Sequence, residues 1–345
     1  MSAKCFRKGI TLFSALLITL FTVSCDDLRI YENYDDCVVQ CKIKFKYDMN
    51  MKFADAFANS VNHVTLYVYD ANTGKLVHSQ TESGAALSQE DYAMELNNLG
   101  PGTYDMVAWC GDGLLEENFD VPAQTVGSSE MPDLTCTMDR ETGGIVSKDV
   151  KQLFHGMKRV TIEKRYGVHT EIISLTKDTN TVRVILQHLS GIDVNKDQFR
   201  FEITDKNGAL DYDNSLMPDE TLYYKPWSVT AGTAGVGSGE TYSSRAQTSV
   251  SVALAEFTVN RLMTDTNPIL SVYNTYEDDK LVLSIPLKDY ALLVKGYYNR
   301  NMSDQEYLDR QDEYNLTFFL DEFGNWATSM IIINSWSVVL NDTNI

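Results

Sequence analysis

Short segments in which apolar and polar residues alternate, each ended by a turn, recur along most of this 345-residue chain. Ile43, Phe45 and Tyr47 alternate with lysines, and residues 64–69 (VTLYVY) form another such segment. A period of two residues places every second side chain on one face, which predicts half-buried β-strands. Further strands are predicted at residues 104–109, 181–186, 199–203, 249–259, 281–287, 316–320 and 330–340. Only residues 303–306, a capping-box sequence, predict the start of a helix, so we expect an all-β chain.

The stretches between these segments have the composition of turns and loops. Residues 205–208 end in Asn-Gly, a dipeptide typical of a tight β-hairpin. Residues 231–242 are rich in Gly and Ser and are predicted to be a loop, as is most of the stretch 110–149.

The length of the chain exceeds that of one ordinary sandwich domain, so we expect two β-sandwiches in tandem. The predicted organisation is a signal peptide at residues 1–24, a tether at 25–37, an N-terminal β-sandwich at 38–168 and a C-terminal β-sandwich at 169–345. No internal repeat typical of a propeller or a solenoid is present in the sequence.

The N-terminus has the layout of an export signal. A short basic start is followed by residues 10–24, which carry no charge and are mostly apolar. This run is shorter than the roughly 20 residues that a membrane-spanning helix needs. It ends at Cys25 in a sequence similar to the lipobox of bacterial lipoproteins, although Thr22 occupies the position where Leu is usual. We expect lipidation of Cys25, with two acyl chains giving stable anchoring; the alternative is an ordinary signal peptide with an incidental cysteine.

The chain is strongly acidic, with a formal net charge of −19. Loss of Lys4, Arg7 and Lys8 with the signal peptide makes the mature chain −22. Such a surface argues against binding to nucleic acid, whose phosphates require Lys and Arg, and against docking on anionic lipid by charge.

Four cysteines remain once the signal peptide and the lipidated residue are set aside: Cys37, Cys41, Cys110 and Cys136. On one strand, Cys37 and Cys41 would have Cα atoms about 13 Å apart, beyond the roughly 7 Å limit of a disulfide. Each could instead pair with Cys110 or Cys136 across a sandwich. A zinc site is a less favoured alternative, because its ligands are usually more closely spaced, and free buried thiols are a third.

Motifs for catalysis and for cofactors are missing from the sequence. The histidines show no metal-ligand spacing, and no serine lies in GxSxG. Residues 232–239 lack the spacing of a phosphate-binding loop, and residues 211–214 lack the twelve-residue pattern of a calcium loop. We therefore predict no catalytic residue, no cofactor and no metal, and we rank an enzyme last among the functions. Four tryptophans could stack on a sugar but more often belong to a sandwich core: Trp109, Trp227, Trp326 and Trp336.

An ordered set of short stretches resembles a known family. These stretches are residues 35–37 (DDC), 45–50 (FKYDMN), 54–57 (ADAF), 64–70 (VTLYVYD), 99–105 (LGPGTYD), 107–109 (VAW), 153–156 (LFHG), 181–186, 205–208, 257–262 and 331–342. Together with the lipobox they are similar to the FimB-like fimbrial anchor and accessory lipoproteins of Bacteroidota, in the fimbrillin superfamily. The resemblance covers nearly the whole mature chain. No single stretch is specific, but their order is.

The resemblance implies two transthyretin-like Greek-key β-sandwich domains and a lipid anchor in the cell outer membrane, with the protein exposed at the surface at the base of a fimbrium. It also implies partners, the fimbrial stalk subunits. These polymerise by strand exchange after an arginine-specific protease removes their N-terminal strand. Physically this is the addition of a β-strand from one chain to an open sheet of another.

The distribution of arginine bears on this mechanism. No arginine lies between Arg29 and Arg140, so the first predicted strand, residues 38–47, has no nearby downstream site for such a protease. Cleavage after Arg29 would release only the tether. We expect this chain to keep its first strand, to leave its own groove closed and to terminate the polymer.

The C-terminal segment 330–340 is the candidate donor strand to a stalk subunit, although its composition equally fits an ordinary last strand. Its apolar residues are Ile331, Ile332, Ile333, Trp336, Val338 and Leu340. The alternative function is a surface adhesin or glycan-binding lipoprotein on the same fold.

Overall fold

The computed structural model describes residues 39–97, 99–163, 167–235, 249–296, 298–334 and 336–339. The predictions for the signal peptide, Cys25, Cys37 and Leu340 lie outside these residues. None of the helices within the described ranges is long and apolar enough to cross a membrane.

Counting only the described residues, the first half of the chain contains eleven strands and one short helix, α1 (Phe57–Ser60). The strands are β1 (Val39–Lys46), β2 (His63–Asp70), β3 (Leu76–Ser83), β4 (Met94–Leu96), β5 (Gly102–Gly111), β6 (Phe119–Asp120), β7 (Cys136–Met138), β8 (Ile145–Val146), β9 (Leu153–Ile162), β10 (Gly167–Ser174) and β11 (Thr176–Lys177).

The N-terminal sandwich pairs a three-stranded sheet, β10-β1-β4, with a five-stranded sheet, β11-β9-β5-β2-β3. Ile43 and Phe45 of β1 share one buried core with Leu66, Met106 and Phe154 of the facing sheet. Alternate residues of β1 point outward, and these are the lysines. The predicted first strand and its alternation are therefore confirmed.

The second half adds eleven strands and two helices, α2 (Leu287–Leu293) and α3 (Asp304–Arg310). The strands are β12 (Thr179–His188), β13 (Phe199–Asp205), β14 (Ala209–Leu210), β15 (Leu222–Tyr224), β16 (Ser228–Gly235), β17 (Ser249–Asn260), β18 (Ile269–Asn274), β19 (Lys280–Pro286), β20 (Glu313–Leu320), β21 (Trp326–Ile333) and β22 (Trp336–Val339). The predicted helix start is confirmed: Ser303 Oγ accepts a hydrogen bond from the backbone N–H of Glu306 at 3.0 Å and caps α3.

The C-terminal sandwich packs a six-stranded sheet, β16-β17-β12-β20-β21-β22, on a five-stranded sheet, β19-β18-β13-β15-β8. Val184 of β12, Phe257 of β17 and Phe318 of β20 face Phe201 of β13 and Val272 of β18 in a common core. Strands dominate both halves of the chain, so the predicted all-β class with tandem β-sandwiches is confirmed.

The two sandwiches are connected by strand pairing as well as by the covalent chain. Strand β8 comes from the first half but pairs in parallel with β15 of the second, and β7 pairs with β14. The stretch 110–149, predicted as loop, therefore contains three short strands that cover the outer face of β5. Trp109 lies fully buried beneath them. Strand β10 spans the predicted boundary at residue 168 and pairs with β1 along its whole length. Because β11 also pairs with β9, the N-terminal sandwich reaches Lys177.

Candidate functional site: the first strand and the C-terminal hairpin

Strand β1 occupies the middle of its sheet. It pairs in parallel with β10 over eight residues and antiparallel with β4 over three. On its inner face Cys41 and Ile43 are fully buried and Phe45 is 5% exposed. Each fully buried apolar side chain of this size contributes about 1.5–3 kcal/mol. Removal of β1 would therefore leave a deep apolar groove between β10 and β4.

The chain leaving β1 is fastened to the second sandwich. Tyr47 is buried, and its hydroxyl donates to Asp312 Oδ1 at 2.6 Å. Burial, and next the charge of Asp312, raise the pKa of Tyr47, so this phenol remains a donor at every physiological pH. At the next residue of the chain, Asp48, the backbone oxygen accepts a hydrogen bond from Arg310 Nη1 at 2.9 Å.

A second contact of Arg310 holds the loop that follows β1. Its guanidinium lies 4.5 Å from the centre of the Phe53 ring, within cation–π range. Phe53 has φ of 53°, in the left-handed region that side chains other than glycine rarely adopt. Glu306 Oε1 accepts from Arg310 Nε at 2.9 Å and orients the guanidinium. We name Tyr47, Arg310 and Asp312 the exit clamp.

Behind the exit clamp lies a buried polar joint between the sandwiches. Arg261 forms a two-pronged pair with Asp309, at 2.8 Å to each oxygen. Asp178 is fully buried, accepts from Asn214 Nδ2 at 2.8 Å and lies 3.9 Å from Arg261. Burial raises the pKa of Asp178 to about 7, and its Oδ2 has no hydrogen-bond partner within the described part of the chain. This buried polar joint therefore links the two sandwiches.

His155 completes the joint without forming a catalytic pair. Its Nε2–H donates to the carbonyl oxygen of Tyr212 at 2.8 Å, and its ring packs 4.6 Å from that of Trp109. Burial lowers the pKa of His155 to about 4, so the imidazole is neutral at pH 7. Because the N–H of His155 is used in a hydrogen bond to a backbone oxygen, the role of this residue is structural.

The predicted donor strand is two strands rather than one. The chain turns at Asn334, whose φ is 46° and whose Oδ1 accepts from the backbone N–H of Asn315 at 2.7 Å. Ile331 and Ile333 lie in β21 and are fully buried, and Ile332 between them is half-buried. β22, which contains Trp336 and Val338, pairs with β21 and forms the outer edge of the sheet. The interpretation of residues 330–340 as one strand is therefore wrong, because left-handed Asn334 reverses the chain.

Comparison of the two sandwiches shows what the hairpin adds. In the first, β1 pairs in parallel with β10, which is the edge of its sheet. In the second, β12 pairs in parallel with β20, but β21 and β22 extend the sheet two strands further. The β21–β22 hairpin is thus an addition to a layout that both sandwiches share.

The three candidate cysteines that lie within the described residues form no disulfide. Cys41, Cys110 and Cys136 are buried and free. Burial raises the pKa of all three, that of Cys41 to about 11, which makes them poor nucleophiles and poor metal ligands at pH 7. A search of the described ranges for metal-binding clusters of His, Cys, Asp and Glu finds none.

A polar cavity of about 200 Å³ lies beside Arg140. Arg140 is already paired with Asp219 at 2.7 Å. Aromatic side chains, which usually form the platform of a sugar site, are missing from its lining.

Of the four tryptophans, Trp109 is in the core, Trp326 packs edge-on against Phe318 at 5.7 Å, and Trp227 is 36% exposed. The side chain of Trp336 is not among those that the structure describes.

The chain is similar to a known protein family and to solved structures along most of its length. A family model described as "Fimbrillin-A associated anchor proteins Mfa1 and Mfa2" matches residues 34–342. A candidate polysaccharide-binding protein from Bacteroides thetaiotaomicron is 33% identical, with a TM-score of 0.75, and the match covers 90% of this chain and 100% of that one. A candidate adhesin from the same species is 32% identical, with a TM-score of 0.78, and the match covers 88% and 99% of the two chains.

A more distant structure shares the fold. The fimbrial anchor protein Mfa2 from Porphyromonas gingivalis is 14% identical, with a TM-score of 0.66, and the match covers 88% of this chain and all of that one. No curated protein matches the sequence.

Proposed function

Since the chain belongs to the family of fimbrillin-A associated anchor proteins Mfa1 and Mfa2, we propose that it is a non-enzymatic anchor subunit of a surface fimbrium. Lipid on Cys25 holds it in the outer membrane, and it terminates the polymer by keeping its own first strand. The observation that carries this proposal is the position of β1, paired on both sides and clamped at its exit.

The closed groove follows from the energetics of β1. A donor strand from another chain would have to displace β1, with its buried inner face and its eleven register pairs. The exit clamp adds two hydrogen bonds to the second sandwich, at Tyr47 and at Asp48. Because β1 belongs to the same chain, it also has no translational entropy to lose, which a separate strand does. Exchange into this groove is therefore strongly disfavoured.

Protection from proteolysis supports the same conclusion. The exposed loop that follows β1 contains Lys52 but no arginine, and the interval without arginine extends to Arg140. A protease that cuts only after arginine has no site at which it could free β1 from the rest of the sandwich.

The opposite end of the chain supplies the contact with the stalk. Donation of the whole run 330–340 would pull Ile331 and Ile333 out of the core, at about 2–5 kcal/mol each by analogy with truncation to Ala. Release of β22 costs only its four register pairs with β21. We therefore assign strand donation to β22, with β21 remaining in the sheet.

The primary test is a pull-down of the native lipoprotein from gently solubilised outer membranes, with mass spectrometry of the mature N-terminus and of the captured proteins. We expect a lipidated Cys25, an intact β1 and a series of fimbrillin-like subunits. A mature chain that lacks residues 38–47 would overturn the closed groove, and a protein without a polymer partner would overturn the anchor.

A gain-of-function variant tests the groove directly. Lys52→Arg places an arginine in the exposed loop after β1, and Lys75→Arg places one in the exposed β2–β3 turn as the matched control. After digestion with an arginine-specific protease and mild denaturant, K52R should release β1 and then bind a synthetic peptide of residues 38–52. The wild-type protein should not bind it. Equal binding by the wild-type protein would mean that the groove is already open.

The second candidate is a surface adhesin or glycan-binding protein, favoured by what the relatives at 32% and 33% identity are described as. A glycan array probed with the folded protein separates the two. Saturable binding of one glycan class, together with failure of the pull-down, would favour the second candidate.

A further inference from the structure

The molecule has two opposite ends, and they differ in chemistry. β12 and β20 both run from the joint, at Thr179 and Glu313, to the far end of the C-terminal sandwich, at His188 and Leu320. β1 reaches the joint at its C-terminal end through Tyr47 and Asp312, so its first residues lie at the other end of the molecule. Val39, the first described residue of β1, therefore lies at the end opposite to the tip of the second sandwich.

Three loops meet at that tip. His188 Nδ1–H donates to the backbone oxygen of Asp321 at 2.9 Å, and Asn195 Nδ2 donates to the hydroxyl of Tyr276 at 3.1 Å. Lys280 Nζ donates to Asn325 Oδ1 at 3.2 Å. These bonds join residues 189–198, 274–281 and 321–325 into one surface, which we name the apex.

The apex concentrates exposed apolar side chains. It carries five of the fifteen large exposed hydrophobic residues described: Leu189 (57% exposed), Ile192 (50%), Tyr276 (66%), Leu281 (51%) and Phe323 (72%). Single exposed apolar residues are ordinary, but clusters of them on a small surface, especially with aromatics, mark interaction sites.

The two aromatic residues are held in place by their turns. Asn274 Oδ1 accepts from the backbone N–H of Tyr276 at 3.0 Å, and Asp321 Oδ1 accepts from that of Phe323 at 2.9 Å. Such side-chain-to-backbone bonds fix the local backbone before a partner arrives. A preorganised surface loses less conformational entropy on binding, so the exposed rings can contribute more to affinity.

The rim of the apex is acidic. Three of its carboxylates are paired with neighbouring cations, for example Asp279 with Arg200 at 3.3 Å and Glu277 with Lys280 at 2.9 Å. Asp193, Asp278 and Glu322 are exposed and have no ion pair within the described part of the chain. A complementary partner would present an apolar patch surrounded by lysine or arginine.

The direction of β22 relates the apex to the proposed strand donation. β21 starts at the apex turn and runs to the joint, and β22 returns antiparallel to it, so that Val339 lies opposite Met330 on the way back to the apex. A subunit that receives β22 would be brought to this end of the molecule.

We propose that the apex is a docking surface for the adjoining fimbrial subunit, which meets it with an apolar patch ringed by basic side chains; this inference rests on the proposed anchor function. Strand donation gives the attachment, and the apex sets the orientation of the first stalk subunit away from the membrane. The proposed lipid on Cys25 precedes Val39, which lies at the other end of the molecule, so the proposal takes a protein subunit and not the membrane as the occupant.

The test measures binding of the purified protein to purified stalk subunits of the same strain. The double variant Tyr276→Ser/Phe323→Ser removes both apex aromatics. Its matched control, Val126→Ser/Ile172→Ser, removes two residues of similar exposure from the N-terminal half. A third variant ends after residue 335 and so lacks β22. We expect at least tenfold weaker binding for the apex variant, near wild-type binding for the control, unchanged melting temperatures for both, and loss of binding for the truncated chain.

The charge of the rim gives a second readout. Asp278→Lys/Glu322→Lys should slow association severalfold at low salt and should differ little from the wild type at high salt. If the apex variants bind like the wild type while the truncated chain does not, the apex inference fails and the anchor function stands. If the wild-type protein binds no stalk subunit, both fail. A wild-type dimer that the apex substitutions disrupt would also overturn the inference, because the occupant would then be a second copy.

Discussion

Truncation of Arg310 is the most direct test of the exit clamp. Arg310→Ala removes a charge-assisted hydrogen bond to the backbone oxygen of Asp48, worth about 1.5–3 kcal/mol. It also removes a cation–π contact with Phe53 of about 0.5–1 kcal/mol at an exposed ring. The ion pair with Glu306 adds a few tenths of a kcal/mol. Because the Arg310 side chain is only 13% exposed, little of this is lost to solvent screening, and we expect a destabilisation of about 2–3 kcal/mol.

The location of the effect matters more than its size. Hydrogen exchange followed by mass spectrometry should show faster exchange in residues 47–57 and at the end of β1, with the C-terminal sheet unaffected. Urea unfolding gives the free energy. Arg310→Lys keeps the charge but not the planar fork, and it should fall between the wild type and R310A.

Arg183→Ala is the matched control. Arg183 also makes two ion pairs, with Glu256 and Glu313, but it is 32% exposed and is bonded only within the C-terminal sheet. We expect less than about 1 kcal/mol and no change in residues 47–57. If R310A and R183A lowered stability equally and neither altered exchange near β1, the exit clamp would have no role in holding β1.

Three further predictions follow from burial. Burial raises the pKa of Asp178 from 3.8 to about 7, so its neutral form stabilises the fold below pH 4 and that contribution is lost as the pH rises to 7. Relative to Asp178→Asn, the wild type should lose stability in urea unfolding from about pH 4 to about pH 7 and change little above that. Ile331→Ala should cost about 2–5 kcal/mol by urea unfolding and half-buried Ile332→Ala clearly less, and equal losses would contradict the assignment of β21 to the core. A thiol reagent should label three cysteines only after denaturation, with no reductant needed: Cys41, Cys110 and Cys136. Labelling of the native protein would contradict their burial.

The strands with clear alternation were predictable because a period of two records which face is buried. β1, β2 and β12 were identified in this way. Composition was less reliable, since the Gly- and Ser-rich residues 231–235 were predicted to be a loop but belong to β16. They pair with β17 through backbone groups alone, so glycine and threonine serve as well as larger residues.

The Asn-Gly signal at residues 205–208 failed for a physical reason. The predicted hairpin would expose Asn207, but its Nδ2 donates to the backbone oxygen of buried Asn260 at 2.9 Å, and its Oδ1 accepts from Tyr224 at 2.6 Å. The chain therefore continues to β14, which pairs with β7. Contacts between residues more than fifty positions apart decide this, and local sequence does not contain them.

The sequence predicted only part of the candidate site, because the rest depends on contacts between residues that are far apart in the chain. The hypothesis that the first strand is retained came from the absence of arginine over more than a hundred residues, a property of the sequence itself. The exit clamp did not, since Tyr47 and Asp312 are 265 positions apart. The apex also could not be predicted, because its hydrophobic residues come from three loops that only the fold brings together.

The shared layout of the two sandwiches explains why the proposed role in strand exchange would depend on β1. Each sandwich holds its first strand by parallel pairing with a later one, β1 with β10 and β12 with β20. β12 continues directly from β11 and the joint, so no cleavage could free it without cutting the protein in two. β1 alone lies near a chain end, where one cut would open a groove. If this chain ends a polymer, as proposed, β1 is the one strand that it would have to protect, and the absence of arginine and the exit clamp would both serve that role.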